Sequence, residues 1–541
     1  MLGPRFADYN VRAYAVACLD AVLSDPDVQL YLPQLTQCLK AEAYHDSPLS
    51  RFLLTRALAA PFQVGHYLYW SLKNEISVDP PYAERFACIL EVFLSFCPVA
   101  AEQLRYQQVA VDKLRRLAQT IQTRRSAGKM SDKQITAFYQ QQLHALNRDF
   151  FARLPGGRFQ LPLNPRVEAA TLIPERCKIM SSKMAPLWLV FRNANDESAA
   201  PIYVMFKSGD DLRQDILTLQ VLKVMDEIWL QNKMDLRLSP YGVIATGSAG
   251  SAAPISAHHH NQYSNNNMLM DSNSVGDDNE PSVPAGALAA AGGEDGGGHG
   301  GHGAGGWAVN PGQSGRGCGL IEVVLRSVTT AGIQMEFGGG AGGAFKLEPL
   351  AQYLRLHNPT QEQFDKAVNN FTYSCAGYCV ATYVMGIGDR HNGNIMVTQD
   401  GHLFHIDFGH FLGNFKSKYG FKRERSAFVF TPEMAFVMGG KNYEASKQFK
   451  LFKDLCYDAF LCLRKHASEL ENLFTLMVPA GMPELLSAGD VDYMRQQLCL
   501  DVSEKAAVDQ FKAELKKALS ATSRRLDNYF HLLKHANKAK D

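Results

Sequence analysis

Apolar residues recur at intervals of three and four from about Asn10 to Arg125: Leu19, Val22 and Leu23, then Leu30, Leu32, Leu35 and Leu39, then Phe52, Leu53 and Leu58. That spacing predicts amphipathic helices, with breaks expected at Pro26, Pro33, Pro48 and Pro61. Short helices in series predict an all-α helical-repeat (solenoid) domain over residues 1–153, closed by a polar helix from Asp132 to Arg153. The Pro- and Gly-bearing stretch Leu154 to Pro174 reads as a boundary. The period then changes to two. Cys177 to Asn193 predicts two strands around a Ser-Ser-Lys turn. Pro201 to Asp211 predicts another, with Tyr203, Met205 and Lys207 on one face and Ile202, Val204 and Phe206 on the other. A lysine at the end of a buried strand is costly to leave unpaired. Lys207 is therefore expected to meet a phosphate or a carboxylate, with Asp215 of the next helix as a candidate.

That helix, Asp210 to about Asn232, carries Leu212, Ile216, Leu219, Leu222 and Trp229 along one stripe, and Asp210 and Asp211 read as its capping residues. From about 247 to 318 no core-forming pattern survives. The segment holds a histidine triplet (His258 to His260), a Ser/Asn run and a tract, Ala291 to Gly306, in which ten of sixteen residues are Gly. It reads as a disordered low-complexity insert. Leu320 to Val328 (LIEVVLRSV) resumes as a strand, a helix is expected from Gln361 to Met385, and the remainder is mainly helical, ending in a helix near Ala507 to Lys540.

The 541 residues carry a net charge of +1, which excludes a global attraction to nucleic acid or acidic lipid and leaves local patches to do any such binding. Eleven cysteines without paired-ligand spacing read as reduced core thiols, in keeping with a cytoplasmic compartment. No signal pattern opens the chain and its apolar runs are short or interrupted, so any membrane contact is expected to be peripheral.

The candidate chemistry lies in Gly386 to Arg425. Asp389 is followed five residues later by Asn394, and Asp407 arrives before Phe-Gly after a predicted hairpin. Asn394 and Asp407 are two hard oxygen ligands suited to Mg²⁺ bridging nucleotide phosphates, and Lys207 is a cation for those phosphates. No Gly-x-x-x-x-Gly-Lys-Ser/Thr loop is present. What is left is a protein-kinase-like α+β arrangement: a small β-rich N-lobe and a mainly helical C-lobe behind the helical domain.

The strings GDDLRQD (209–215), GIGDRHNGN (386–394) and HIDFGHFLG (405–413), with SRFLLTRAL (50–58) in the helical part, resemble the catalytic core of phosphoinositide 3-kinases across nearly the whole chain except the insert. Asp389-Arg390-His391 runs opposite to the His-Arg-Asp order of ordinary protein kinases, as in that lipid-kinase family. The resemblance implies a helical accessory domain at 1–153, an N-lobe at 154–320, and a hinge and C-lobe at 321–541. It implies Ser182 over the ATP phosphates and Lys207 contacting them. Asp215 and Tyr241 would lie deep in the nucleotide pocket, Glu322 and Val324 at an adenine-binding hinge, Met396 and Ile406 on the floor, and Mg²⁺ on Asn394 and Asp407. Asp389, His391 and His410 would be catalytic. The two histidines would flank the γ-phosphate and the attacking hydroxyl, with the general base left open between them.

Between Asp407 and Phe428 five cations, Lys416, Lys418, Lys422, Arg423 and Arg425, face one acid, Glu424. An inositol ring with two phosphomonoesters carries roughly −3 to −4, a fitting partner. The interleaved Phe415, Tyr419, Phe421 and Phe428 could alone also suit single-stranded nucleic acid. By resemblance the Lys-Arg-Glu-Arg block is that of class I enzymes, which phosphorylate phosphatidylinositol 4,5-bisphosphate on the 3-hydroxyl. Ser426-Ala427 stands where Val-Pro is usual, and the following FVFTPEMAFVMGGKN is closer to class II. Regions for a regulatory subunit or small GTPase would, in the family, precede residue 1. Two other readings compete: a serine/threonine protein kinase of the related large family, and a non-catalytic scaffold.

Overall fold

The computed structural model describes residues 1–128, 130–182, 184–195, 199–248, 317–414, 417–418, 421–422 and 426–520. Seven helices come first: α1 (Tyr9–Val22), α2 (Asp25–Cys38), α3 (Pro48–Ala59), α4 (His66–Val78), α5 (Ala83–Phe96), α6 (Pro98–Ser126) and α7 (Asp132–Asp149). Their starts are written in the sequence. Ser24, Ser47 and Ser131 each form a capping box, accepting the backbone N–H three residues on while that residue's side chain returns the bond. Pro26, Pro48 and Pro61 sit at helical starts, but Pro33 lies inside α2, contrary to the expected break. The polar helix ends at Asp149, with a short 3-10 turn over Phe151–Arg153.

A seven-stranded antiparallel sheet follows, built from β1 (Phe159–Leu161), β2 (Asn164–Leu172), β3 (Lys178–Ile179), β4 (Leu187–Asn193), β5 (Ile202–Ser208) and, after helix α8 (Arg213–Gln231), β6 (Val243–Ser248) and β7 (Gly317–Glu322). The order is β1-β2-β4-β5-β7-β6, with β3 beside β4. On β5 the predicted alternation holds. Val204 and Phe206 are buried in one hydrophobic core shared by the accessory helices and the sheet, whereas Tyr203, Met205 and Lys207 are half-buried on the other face. Gly247 and Cys318, expected at the edges of the insert, pair across β6 and β7. Residues 249–316 of the insert lie outside the described residues.

The expected strand Leu320 to Val328 is broken. After β7 the chain crosses at 323–326 to β8 (Ser327–Thr329), which pairs with β9 (Ile395–Thr398) in a second sheet completed by β10 (Leu403–His405). Around it lie α9 (Thr330–Phe337), α10 (Pro349–His357) and α11 (Gln361–Met385). Next come β11 (Ser417–Lys418) and β12 (Phe421–Lys422), a two-stranded pair. The chain continues through α12 (Pro432–Val437), α13 (Lys447–Lys465), α14 (Ala467–Thr475), α15 (Asp492–Gln497) and α16 (Glu504–Ser520). The last helix starts at Glu504, and the polar and apolar positions expected beyond residue 520 lie outside the described residues. Helix α11 spans the predicted bounds and is buried nearly all round from Asn370 onward. Helix α8 differs from its predicted single stripe: both Leu217 and Gln220 are buried, because the accessory helices cover one side and the C-lobe the other. Gln220 and Gln34 of α2 exchange side-chain hydrogen bonds at 2.9 and 2.6 Å, and Trp229 donates to the Ala459 carbonyl at 3.0 Å. All eleven cysteines are free thiols. Among the described residues no helix is long and apolar enough to cross a membrane.

Candidate active site

Two glycine-bearing loops lie side by side. Gly388 donates to the His410 carbonyl at 3.0 Å, Leu412 to Met385 at 2.8 Å and Gly413 to Gly386 at 3.1 Å. This approach needs glycine at both ends. Gly386 and Gly413 have left-handed φ values of 58° and 74°, and a Cβ on either would fall within 2.3 Å of the Tyr493 ring. Asp389 and Asp407 are also left-handed, at φ 54° and 61°. Such backbone is strained by about 1–3 kcal/mol per residue and persists only where its surroundings over-determine it.

Those surroundings are visible. Buried Arg390 donates from Nε to Gly388 O (2.9 Å), from Nη1 to Ile406 O (2.7 Å) and from Nη2 to the Asp407 carbonyl. It thereby ties the Asp389 loop to the Asp407 loop. Asn394 Nδ2 donates to Asp389 O (3.0 Å), and Ile406 N donates to Asn394 O (3.0 Å). Asp215 Oδ1 accepts from Phe408 N at 2.9 Å, and the Tyr241 hydroxyl meets the Asp407 backbone. Asp215 and Tyr241 thus act on the backbone that carries Asp407.

Lys207 reaches this centre from β5. Its Nζ is 2.6 Å from Asp210 Oδ2 and 3.8 Å from Asp407 Oδ1. The direct carboxylate partners are therefore Asp210 and Asp407 rather than Asp215, and Asp210 pairs with the lysine instead of capping α8. Asp211 keeps a local role, accepting from Arg213 N at 3.0 Å and clamping the Arg213 guanidinium. Burial alone would push the Lys207 ammonium down, but Asp407, Asp215 and Asp210 outweigh it and hold the group above its ordinary value. Burial drives the Asp215 carboxyl up to about 6, against the pull of Lys207 and the Phe408 N–H.

A folded-state carboxyl pKa above the unfolded value means that the folded chain holds the proton more tightly. Stability from this group is therefore fully present below about 4 and is lost as pH rises through about 6. In paired denaturation curves from pH 4 to 7, Asp215→Asn is expected to gain on the wild type up to pH 6 and then hold a constant difference. A flat difference throughout would refute the assignment.

The histidines differ in what they bond. His391 Nδ1 accepts from Gly393 N at 3.0 Å, which in the neutral ring puts the proton on Nε2. His410 Nδ1 lies 2.5 Å from Glu484 Oε1, and Glu484 Oε2 accepts from Phe411 N at 2.7 Å. Glu484 has no motif around it and stands 74 residues from His410, so no pattern in the sequence could have flagged it. The role of Arg390 was equally hidden, although it lies inside the recognised string.

The remaining candidates belong to other segments. Ser182 is exposed in the β3–β4 turn and its carbonyl accepts from Ala185 N; Gln122 of α6 fixes that turn beside β5 by donating to Met184 O (2.7 Å) and Ser208 O (2.9 Å). At the crossing, Glu322 N donates to Gly242 O and its Oε2 accepts from Gly242 N, while Val324 O accepts from Ser327 Oγ. Met396 on β9 and Ile406 beyond β10 are half-buried against the C-lobe core. Lys416, Arg423 and Arg425 lie outside the described residues. Of Lys418 and Lys422 only the backbone pairing of β11 with β12 is described.

Among the described residues no cluster of three or more His, Cys, Asp or Glu could cage a metal. Asn394 and Asp407 would instead suit an ion that takes its other ligands from phosphate and water. The exposed Asp407 carboxylate sits beside the lysine, and with Asn394 Nδ2 donating to Asp389 O, the Asn394 side-chain carbonyl oxygen is the atom that would hold such an ion.

Comparison with known proteins decides the family. Residues 201–260 and 308–487 match the family described as phosphatidylinositol 3- and 4-kinase, and residues 1–105 match the accessory (PIK) domain of the phosphoinositide 3-kinase family. The chain belongs to this kinase family. It is similar to three Dictyostelium discoideum proteins named phosphatidylinositol 3-kinase 1, 2 and 3. It is 39%, 38% and 36% identical to them over 99%, 98% and 99% of its length, covering 28%, 24% and 26% of theirs. The chain thus spans about a quarter of the length of these relatives. Within the kinase family's catalytic domain fall Lys207, Asp215, Asn394, Asp407, His410 and Glu484, so the geometry above belongs to the matched region.

Proposed function

We propose that this chain is the accessory and catalytic region of a phosphatidylinositol 3-kinase, which moves the γ-phosphoryl group of ATP to the 3-hydroxyl of an inositol lipid at a membrane surface. The observation that carries the reading is the convergence of Lys207 on Asp407, with Asn394 tied to the same backbone. That provides a cation for the phosphates and two oxygen ligands for Mg²⁺. Such transfer depends on positioning and charge stabilisation more than on covalent help. The 3-position follows from the names of the similar Dictyostelium proteins. His391 and His410 flank the transfer, and Lys207 and Ser182 hold the phosphates. Asp215, Tyr241, Glu322, Val324, Met396 and Ile406 line the nucleotide site.

The charge of the loop after Asp407 supports phosphatidylinositol 4,5-bisphosphate as the lipid, since five cations stand against one acid. A product assay with labelled ATP on vesicles of defined phosphoinositides, run beside a peptide acceptor, tests the whole reading. Transfer to peptide alone would give a protein kinase, and no turnover at all a scaffold. Neutralising Lys422, Arg423 and Arg425 together is expected to lower activity on the bisphosphate far more than on unphosphorylated phosphatidylinositol. An equal loss on both lipids would remove the substrate assignment.

A further inference from the structure

We infer that Glu484 is a positioning residue for the transfer reaction: its carboxylate fixes both the orientation and the proton placement of the His410 ring. The inference rests on the kinase reading above. One carboxylate spans two groups of the same loop, with Oε1 at 2.5 Å from His410 Nδ1 and Oε2 at 2.7 Å from Phe411 N. A carboxylate can only accept, so the neutral imidazole carries its proton on Nδ1 and keeps the lone pair on Nε2. His391, whose Nδ1 accepts from Gly393 N, has the opposite arrangement. The two neutral rings therefore carry their protons on opposite nitrogens, Nε2 in His391 and Nδ1 in His410.

The support for Glu484 is rigid. Its side chain is 13% exposed. It stands in a tight turn whose flanking Met482 and Leu485 are fully buried and bridge each other. The residues just before this turn are held from outside the C-lobe: Arg213 donates to Ala480 O at 2.7 Å and Lys40 of the accessory domain to Pro479 O at 3.0 Å. A pre-organised partner of this kind costs no reorganisation during the reaction.

Glu484→Gln places an amide where two donors converge, and a neutral amide no longer requires a proton on Nδ1. The variant is expected to lower kcat for lipid phosphorylation by about 100-fold, the scale of one positioned acid–base group, with KM for ATP and lipid within about 2-fold. Glu484→Asp, which keeps the charge, is expected to recover part of the loss. The ¹⁵N spectrum of histidine-labelled wild type should show a neutral Nδ1–H tautomer for the resonance that disappears in His410→Gln. That resonance should move toward Nε2–H in Glu484→Gln while the His391 signal stays. A wild-type His410 found as Nε2–H overturns the inference even if the variants do not fold, and so does a folded Glu484→Gln with unchanged kcat. Absence of phosphate transfer by the wild type would instead count against the kinase reading, and the tautomer would still decide the pairing.

Discussion

Asp407→Asn is expected to reduce phosphate transfer from ATP by roughly 10²–10³-fold while leaving the melting temperature almost unchanged. The size follows from what the carboxylate does. It is the charged member of the proposed Mg²⁺ pair and one of the carboxylates that keep Lys207 an ammonium, and removing one pre-organised charge from such a centre costs about 10²–10³-fold. The small structural effect follows from exposure. The side chain is 56% exposed, and the backbone at Asp407 and Phe408 is held by Arg390, Tyr241 and Asp215 acting on main-chain groups. An asparagine keeps the size and tolerates the left-handed φ of 61°. Initial-rate assays on lipid vesicles over a range of Mg²⁺ concentrations, with a thermal melt of each protein, check both halves. Retention of more than a tenth of the activity would remove Asp407 from the metal site.

What the sequence made legible was whatever obeys a period or a local motif. Helix α11 falls on its predicted bounds because Thr360 caps it and apolar positions fill it to Gly386, whose left-handed φ ends it. The β9–β10 hairpin and the alternation on β5 were equally readable. Contacts that join distant segments carried no such signal. Asp210 and Asp211 look like a cap because acids favour helix starts, and only the fold shows that Asp210 turns back to Lys207. Pro33 looks like a break, yet α2 absorbs it. Leu320 to Val328 looks like one strand, because nothing in a run of apolar residues marks where a chain leaves one sheet for another. Helix α8 looks amphipathic only when the two bodies that bury it are not yet known.

Arg12→Ala is expected to destabilise the fold by about 3–5 kcal/mol, the cost of breaking a buried ion pair by removing one partner. Arg12, on α1, is 2% exposed and spends all its donors inside the protein: on Glu42 through Nε (2.8 Å) and Nη2 (2.5 Å), on Leu2 O (2.8 Å) and Phe6 O (3.2 Å) through Nη1, and on Cys38 O (3.0 Å) through Nη2. Its loss leaves the Glu42 carboxylate buried without its cation, and takes a donor from the Leu2, Phe6 and Cys38 carbonyls. The exposed Arg51–Asp46 pair has an equally short contact of 2.6 Å, yet both side chains are open to water, and Arg51→Ala is expected to leave the melting temperature unchanged. The double change Arg12→Met with Glu42→Leu should cost less than Arg12→Ala alone, since neither charge then remains buried. The loss should also reach the catalytic region. Helix α2 presents Leu30 O and Gln34 to Gln220 of α8, and α8 carries the Asp215 that holds Phe408 N–H. Thermal inactivation of phosphate transfer should therefore shift down together with the melt of Arg12→Ala. A kinase that kept its wild-type inactivation temperature while the accessory helices melted earlier would show that the two parts unfold independently.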